Sequence, residues 1–251
     1  MKQTSKFILK TTMAFLAAGA IGGGAAAYAE EPNPLLPVVI KIKPDEIFLP
    51  PGFDSNDNAQ LVVAGGLQNT CLKQGRTTAK VDEAAKKIFV TQEAFKYNSA
   101  WCADLYATYV QTVDLGVIKD GKYQVMVNDG QDKPVAAGIM SIAAAKTAEP
   151  DSNTYAPIEE VTIEKVNGKR ELTLRGTLNS RCTKIDEVKI MQRTPGVIEV
   201  LPITDLKEGI RCVREASDFS KTVELPEMNG PTLVHIRSLA GGSVNRVLNL
   251  K

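Results

Sequence analysis

The sequence contains one eleven-residue pattern twice, and each copy ends in a cysteine. The two copies are LVVAGGLQNTC, which ends at Cys71, and LTLRGTLNSRC, which ends at Cys182. Their apolar residues alternate with small or polar residues, which is the period of a half-buried β-strand. A second cysteine follows each copy after a similar interval, at Cys102 and Cys212. Because the repeat is as long as a domain, it predicts two tandem halves that are built alike rather than a solenoid.

The repeat continues beyond the cysteines in the same order in both halves. A TV[DE]L segment is followed by a tight-turn dipeptide and then by a second alternating segment. The matched pairs are 112–115 with 222–225, Asp120-Gly121 with Asn229-Gly230, and 123–127 with 232–236. We therefore interpret the chain as a duplication.

Each half contains about seven short alternating segments separated by turn residues, which predicts a β-sandwich. Long amphipathic helical patterns are absent, and VDEAAKK at 81–87 is interpreted as a turn. The predicted strands of the first half lie near 38–42, 60–65, 77–81, 87–91, 104–115, 123–128 and 136–142. Those of the second half lie near 159–165, 171–177, 187–192, 197–201, 219–225, 232–237 and 244–249.

The first residues have the pattern of a secretory signal peptide. A lysine-containing start precedes a small, apolar, glycine-rich run, and the run ends in Ala-Tyr-Ala at 27–29. This pattern predicts cleavage and export rather than a membrane anchor. The expected organisation is a signal peptide at 1–29, an extended lead-in at 30–37, a sandwich at 38–147, a polar linker at 148–157 and a second sandwich at 158–251. No later apolar run is long enough to span a bilayer, so we expect no membrane span in the mature chain.

Charge gives no indication of a nucleic-acid partner. The chain has 30 basic and 29 acidic residues, and its net charge is +1. A hydrophobic content of 43% is ordinary for a globular protein. We therefore expect no nucleic acid among the partners.

Four cysteines in an exported chain predict disulfides. The repeat selects Cys71–Cys102 and Cys182–Cys212 among the three possible pairings. In the chain-entropy model, a closed loop of about 31 residues stabilises the fold by roughly 3.5–4 kcal/mol. The alternative is free or zinc-binding thiols, which the wide cysteine spacing and the single histidine do not favour.

The motif G-x-L-x-x-x-C, a distant second cysteine, T-V-[DE]-L and a final hairpin together resemble the two-cysteine immunoglobulin-like modules of bacterial exported proteins. The resemblance covers most of 38–145 and again 157–251. It implies all-β, tandem immunoglobulin-like sandwiches in the periplasm or outside the cell, and it implies no catalytic residues. The chain departs from antibody-type domains because its cysteine interval is shorter and its single tryptophan, Trp101, directly precedes the second cysteine.

The sequence shows no catalytic, metal or cofactor motif. His235 is the only histidine, and we expect it to be a surface or interface residue. The segment DSNDN at 54–58 begins like a calcium-binding loop, but Ala59 and Gly65 stand where a glycine and a closing glutamate are needed. We expect a polar turn there, and a calcium site of looser geometry stays open.

Aromatic residues of the first half are the candidate binding residues. The loop at 43–58 carries Phe48 and Phe53, whereas the second half has only VNGK at the corresponding place. Tyr97, Trp101 and Tyr106 surround the second cysteine. Exposed aromatic rings stack on sugars or anchor protein interfaces. The alternatives are that the loop closes one end of the sandwich and that the rings pack against the disulfide.

These observations predict a non-catalytic binding or assembly protein of the cell envelope, with recognition through the first half. Its expected partner is an envelope or extracellular protein of unknown identity, or a glycan. The sequence leaves open an inhibitor of an exported hydrolase, a carbohydrate-binding module, and an enzyme without a recognisable motif.

Overall fold

The computed structural model describes residues 36–98, 101–131, 133–148, 151, 153–207 and 212–250. The predicted signal peptide and most of the lead-in lie outside these residues. Residues Pro34–Lys251 form one compact unit. Among the described residues, no helix has the length and apolar character needed to cross a membrane.

The first half forms eight strands in two sheets. One sheet contains a three-residue β2, β3 and β6, in the order β2-β3-β6. The other has the order β4-β5-β7-β8, and β1 pairs with the second part of β5. The bounds are β1 (Val38–Ile42), β2 (Glu46–Phe48), β3 (Ala59–Leu67), β4 (Leu72–Asp82), β5 (Lys87–Lys96), β6 (Ala107–Gly116), β7 (Gly121–Asn128) and β8 (Val135–Ile142).

The second half repeats this arrangement with seven strands. Its sheets have the orders β9-β10-β13 and β11-β12-β14-β15. A short 3₁₀ turn, Leu239–Gly241, joins the last two strands. The bounds are β9 (Glu160–Val166), β10 (Lys169–Leu178), β11 (Thr183–Thr194), β12 (Val197–Leu206), β13 (Ser217–Leu225), β14 (Thr232–Arg237) and β15 (Ser243–Leu248).

The two halves agree in register as well as in strand order. Gly65 of β3 pairs with Tyr109 of β6, and Gly176 of β10 pairs with Phe219 of β13. Each glycine leaves room for the aromatic ring beside it, because an added Cβ at Gly65 would lie 2.7 Å from Tyr109 Oη and one at Gly176 3.1 Å from Phe219. The aligned glycines of the repeat therefore occupy equivalent positions in the two sandwiches.

One pair of strands in each half runs parallel. β5 pairs in parallel with β7, and β12 pairs in parallel with β14. Immunoglobulin sheets are antiparallel, so this central pair departs from that topology. The chain is all-β and contains β-sandwiches. The sheets that hold β5 with β7 and β12 with β14 do not have the immunoglobulin-like arrangement.

The structure also corrects two predicted connections. The loop predicted at 43–58 contains β2, which pairs with β3. The predicted linker 148–157 is partly built into the second sandwich, because Tyr155 bridges Ile203 and the buried Ala156 donates its N–H to Pro202 O at 2.8 Å. Its polar composition did not indicate this because backbone pairing to β12 requires no apolar period.

Each sandwich has its own apolar core, and both predicted disulfides are confirmed. The first core centres on residues such as Leu61, Ile88 and Tyr123, and the second on residues such as Leu172, Ile198 and Val234. Cys71 bonds Cys102 and Cys182 bonds Cys212, each with a Cα–Cα distance of 5.3 Å.

A third apolar cluster joins the two halves. Phe48, Val62 and Ala64 of β2 and β3 pack with Val197 of β12 and Leu233 of β14. β3 and β14 are therefore buried on both faces: one face lies in their own core and the other lies against the other half. We call this contact the inter-sandwich interface.

Candidate binding site

The first disulfide anchors the segment that follows β5. Thr70 N–H donates to Ala103 O at 3.0 Å, and Ala103 N–H donates to Thr70 Oγ1 at 2.9 Å. Tyr97 N–H donates to Cys71 O at 2.9 Å. These bonds and the disulfide hold both sides of the segment against the turn between β3 and β4.

The anchored segment exposes four large side chains, which we call the disulfide-tip surface. The exposed fractions are 40% for Tyr97, 89% for Trp101, 63% for Leu105 and 48% for Tyr106. Such exposure is unusual for an indole because burying a large aromatic side chain contributes several kcal/mol. Three of the five predicted binding residues therefore lie on one accessible segment.

Tyr106 also has a structural role. Its ring lies over Gly66 of β3, where an added Cβ would approach ring atoms to 1.9 Å. Its hydroxyl donates to Asp45 Oδ2 at 3.1 Å. Desolvation, together with the neighbouring Asp45 carboxylate, raises the pKa of Tyr106. One side of the ring thus packs against the sheet.

The assignment of Phe48 and Phe53 to an exposed recognition loop is corrected. Phe48 is 5% exposed and Phe53 is 2% exposed. Phe48 packs in the apolar cluster of the inter-sandwich interface. Phe53 contacts the ring of His235 edge-on, with centroids 5.8 Å apart, and the Arg237 guanidinium lies 4.2 Å from its centroid. Both rings join the two sandwiches and are not accessible to a partner.

Arg237 is the buried cation of the inter-sandwich interface. Its Nη2 donates to Gly52 O at 3.1 Å and lies 3.3 Å from Asp57 Oδ2, while its Nη1 lies 3.3 Å from Asp151 Oδ1. Only 4% of the residue is exposed. The charge is thus retained in the interior because two carboxylates and a carbonyl replace its hydration.

The segment predicted as a polar turn, 54–58, takes part in this network. Asn56 N–H donates to Asp54 Oδ1 at 2.9 Å, and Asp54 N–H donates to Asp57 Oδ2 at 3.0 Å. Asp57 is also the ion-pair partner of Arg237. No cluster of His, Cys, Asp or Glu suited to a metal ion is found within the described residues.

A cavity of about 250 Å³ adjoins this network. It is lined by both acidic and basic side chains, among them Asp54, Asp151, Arg193 and Arg237. Desolvation raises the pKa of Asp151, and the Asp57 charge adds to this while Arg237 opposes it. Most of the lining charges pair with one another.

A second ion pair lies beside the cavity. Glu199 of β12 is 1% exposed and accepts from Arg193 Nε at 2.7 Å and from Arg193 Nη2 at 2.8 Å. The hydrogen bond to Glu199 raises the pKa of Arg193. Gly52, in the loop between β2 and β3, lies directly against this ion pair. A Cβ added at Gly52 would be only 2.4 Å from the Arg193 guanidinium.

His235 is an interface residue. The sequence predicts either a surface or an interface position for it. It is fully buried, and its Nδ1 lies 2.8 Å from Asn245 Oδ1. Burial lowers its pKa to about 4, with the nearby Arg237 charge acting in the same direction and Asn245 opposing it. Asn245 Nδ2 donates to Thr112 Oγ1 of the first sandwich at 2.9 Å.

Sequence reasoning missed Arg237 and Glu199 as interior residues. Glu199 is the one charged residue in VIEVLPI, and Arg237 is the one charged residue in TLVHIR, which also contains the polar Thr232 and His235. A strand without polar alternation is one that is covered on both faces. A single charged residue in such a strand therefore predicts a buried ion pair. The spacing of residues along the sequence does not identify its partner.

Comparison with protein families gives one partial similarity. Residues 61–136 are similar to the ORF11 β-sandwich domain, over less than a third of the chain. The match lies within the first sandwich and supports a β-sandwich module there. Comparison with curated proteins and with solved structures gives no significant match.

Proposed function

We propose that this chain is an exported, non-catalytic binding or assembly protein of the bacterial cell envelope, and that its first sandwich carries the recognition surface. The two disulfides support an oxidising, extracytoplasmic setting. The signal-peptide pattern of the first 29 residues supports export in particular.

The observation that carries the proposal is the exposure of Trp101. Its side chain is 89% exposed on a segment held by the Cys71–Cys102 disulfide and by the Thr70 hydrogen bonds. An anchored segment loses little conformational entropy when a partner covers its rings, and Trp and Tyr are enriched among residues that dominate binding energy. Leu105 and Tyr97 add apolar area on the same segment.

A protein partner can be tested by site-specific photo-crosslinking in native cells. A benzophenone amino acid in place of Tyr97 is expected to give one dominant adduct, which Trp101→Ala should abolish. The same crosslinker at Val117 is the control, because Val117 is 63% exposed and belongs to the same sandwich but not to the disulfide-tip surface. Identical adducts from both positions would contradict recognition by this surface.

Glycan binding is the second candidate, and the same exposed rings favour it. Aromatic faces stack on sugar rings without requiring charged partners. Retention of the protein on purified cell-wall polysaccharide, weakened by Trp101→Ala but not by Val117→Ala, would assign the surface to a glycan. If neither an adduct nor retention is observed, the proposed function is wrong.

A further inference from the structure

The outer strand β8 differs from every other outer strand that the structure describes. β4, β9, β11 and β13 each carry at least three charged residues, and the remaining outer strands carry at least one. β8 reads VAAGIMSI and carries none. Charges on outer strands oppose edge-to-edge pairing with other chains, and β8 lacks this form of protection.

The direction of the free backbone groups of β8 follows from the residue after it. Ala143 N–H donates to Phe53 O and Ala143 O accepts from Ser55 N–H, both at 2.9 Å, on the side away from β7. The N–H and C=O groups of a strand residue point to the same side in an antiparallel pair, and this side alternates along the strand. Ser141 and Ile139 therefore direct their N–H and C=O groups to the same open side as Ala143.

A proline removes one of the backbone donors with which the chain could close this side itself. Continuing the parallel register from Phe53 and Ser55 would require Pro51 to donate to Ile139 O, and proline has no N–H. Within the part of the chain that is described, no backbone group pairs with Ile139 or Ser141 on this side. Two donors and two acceptors are thus left at the spacing of a β-ladder.

A groove of about 350 Å³ runs along these groups. Residues 137–141 of β8 form one wall, while 46–51 and the turn 194–197 of the second sandwich form the others. Glu46 is the only charged residue of its lining, and it has no ion-pair partner among the described residues. Ile139 is 65% exposed beside the groove, whose lining combines apolar side chains with the hydroxyls of Ser141 and Thr194.

We propose that the β8 edge binds an extended segment of a partner protein as an added strand, with a lysine or arginine of that segment facing Glu46. Strand addition supplies main-chain hydrogen bonds, and alternate side chains enter the groove. The segments 46–51 and 194–197 flank the groove, so we expect it to take one extended chain rather than the sheet edge of a second copy. The site shares no residue with the disulfide-tip surface, so it is independent of the proposed function.

The probe is a random linear dodecapeptide library displayed on phage and selected on the full chain. Selected peptides are synthesised, and their Kd is measured for the wild type and for two lysine variants matched in exposure. Ile139→Lys is expected to weaken binding by at least about tenfold, because an edge lysine opposes strand pairing. Val117→Lys, at a position of 63% exposure, and Trp101→Ala are expected to leave the Kd unchanged.

Two further measurements test the mode of binding. Amide hydrogen exchange of Ile139 and Ser141 should slow when peptide is bound. Two peptides are compared, one N-methylated at its odd-numbered residues and the other at its even-numbered residues. Only one of the two should lose binding, since only one set of amides faces β8. Glu46→Lys should reverse the preference for a basic residue in the peptide. The variant is then expected to bind a peptide whose basic residue is changed to glutamate more tightly than the original peptide.

The proposal is overturned if no selected peptide distinguishes Ile139→Lys from Val117→Lys. It is equally overturned if Trp101→Ala, and not Ile139→Lys, removes binding, because the peptides would then occupy the disulfide-tip surface. Equal thermal midpoints of Ile139→Lys and the wild type show that any loss of binding reflects the edge and not unfolding.

Discussion

The buried guanidinium of Arg237 shows how a single residue can join two sandwiches. Arg237 belongs to β14 of the second half. Its partners lie outside that half, because Gly52 and Asp57 belong to the first half and Asp151 lies between the two. Removing one member of a buried ion pair leaves the other charge desolvated, which is much more costly than the pair is worth. Arg237 is therefore more sensitive to substitution than the exposed arginines.

Arg237→Met is expected to lower the free energy of unfolding by roughly 3–5 kcal/mol, because Asp57 and Asp151 remain buried without their cation. Urea denaturation checks this value. Arg246→Met, at an exposed position on the adjacent strand β15, is the matched control and should change stability little. Equal midpoints for the two variants would contradict the role of Arg237.

His235 makes the fold sensitive to acid. Burial lowers the pKa of His235 from 6.5 to about 4, so the folded state keeps the ring neutral while the unfolded chain protonates. Its contribution is fully present above pH 6.5 and is lost as the pH falls towards 4, by up to about 3 kcal/mol. The raised pKa of Asp151 acts in the opposite direction, since its contribution grows as the pH falls.

His235→Gln is expected to flatten the dependence of stability on pH between 6.5 and 4. Denaturation midpoints measured across this range in both proteins check the prediction. The difference between wild type and variant should shrink towards acid pH, because the neutral amide has no proton to gain. A constant difference across the range would show that His235 does not titrate as its burial requires.

At the scale of single elements, glycines determine how closely strands approach their neighbours. An added Cβ at Gly176 of β10 would lie 1.9 Å from Pro157 O, a backbone atom. At Gly66 of β3 the same distance separates the Cβ from the Tyr106 ring, which is half exposed and can move. The same substitution therefore meets a fixed obstacle in one strand and a movable one in the other.

Gly176→Ala is expected to cost more than Gly66→Ala, whose cost should fall in the range of about 1–3 kcal/mol typical of overpacking. In a Tyr106→Ala background, Gly66→Ala should become nearly neutral because the obstructing ring is gone. Thermal unfolding of the single and double variants measures both effects. Additive losses at Gly66 and Tyr106 would show that the ring does not occupy this space.

Elements also show where sequence reasoning succeeds. Alignment of Cys102 with Cys212 sets Tyr109 on Phe219, and this shared aromatic position predicts a core residue in both halves. Tyr109 is buried and Phe219 packs against the second core. Alternation and the equivalence of the two copies suffice there, because an aromatic residue kept at the same place in both copies indicates a shared packing position. The prediction for Phe48 and Phe53 was wrong because an apolar loop does not reveal which surface covers it.

At the scale of the whole molecule, the inter-sandwich interface makes the halves interdependent. β3 and β14 bury both faces, and neither strand would be covered on its outer face without the other half. Domains of one chain are expected to move relative to one another unless their contact is large and apolar. This contact combines an apolar cluster with the buried ion pairs of Arg237. We therefore expect the two sandwiches to unfold together.

Calorimetry is expected to give a single transition in which the van't Hoff and calorimetric enthalpies agree. Phe48→Ala, which removes an aromatic ring from the interface cluster, should lower stability by about 3–5 kcal/mol and split or broaden the transition. Trp101→Ala is the control, because it removes an exposed ring and should leave one sharp transition. Two transitions in the wild type would show that the sandwiches are independent.

The sequence by itself determined the duplication, the all-β class and the disulfide pairing. Each of these follows from short-range alternation or from the equivalence of two copies. Both are visible in the order of the residues along the chain, without knowledge of the folded structure. Only the tertiary structure decided that Phe48, Phe53, His235 and Arg237 lie between the sandwiches and that the β8 edge stays open. These features depend on which faces meet across long sequence separations, where packing and desolvation rather than local pattern select the contact.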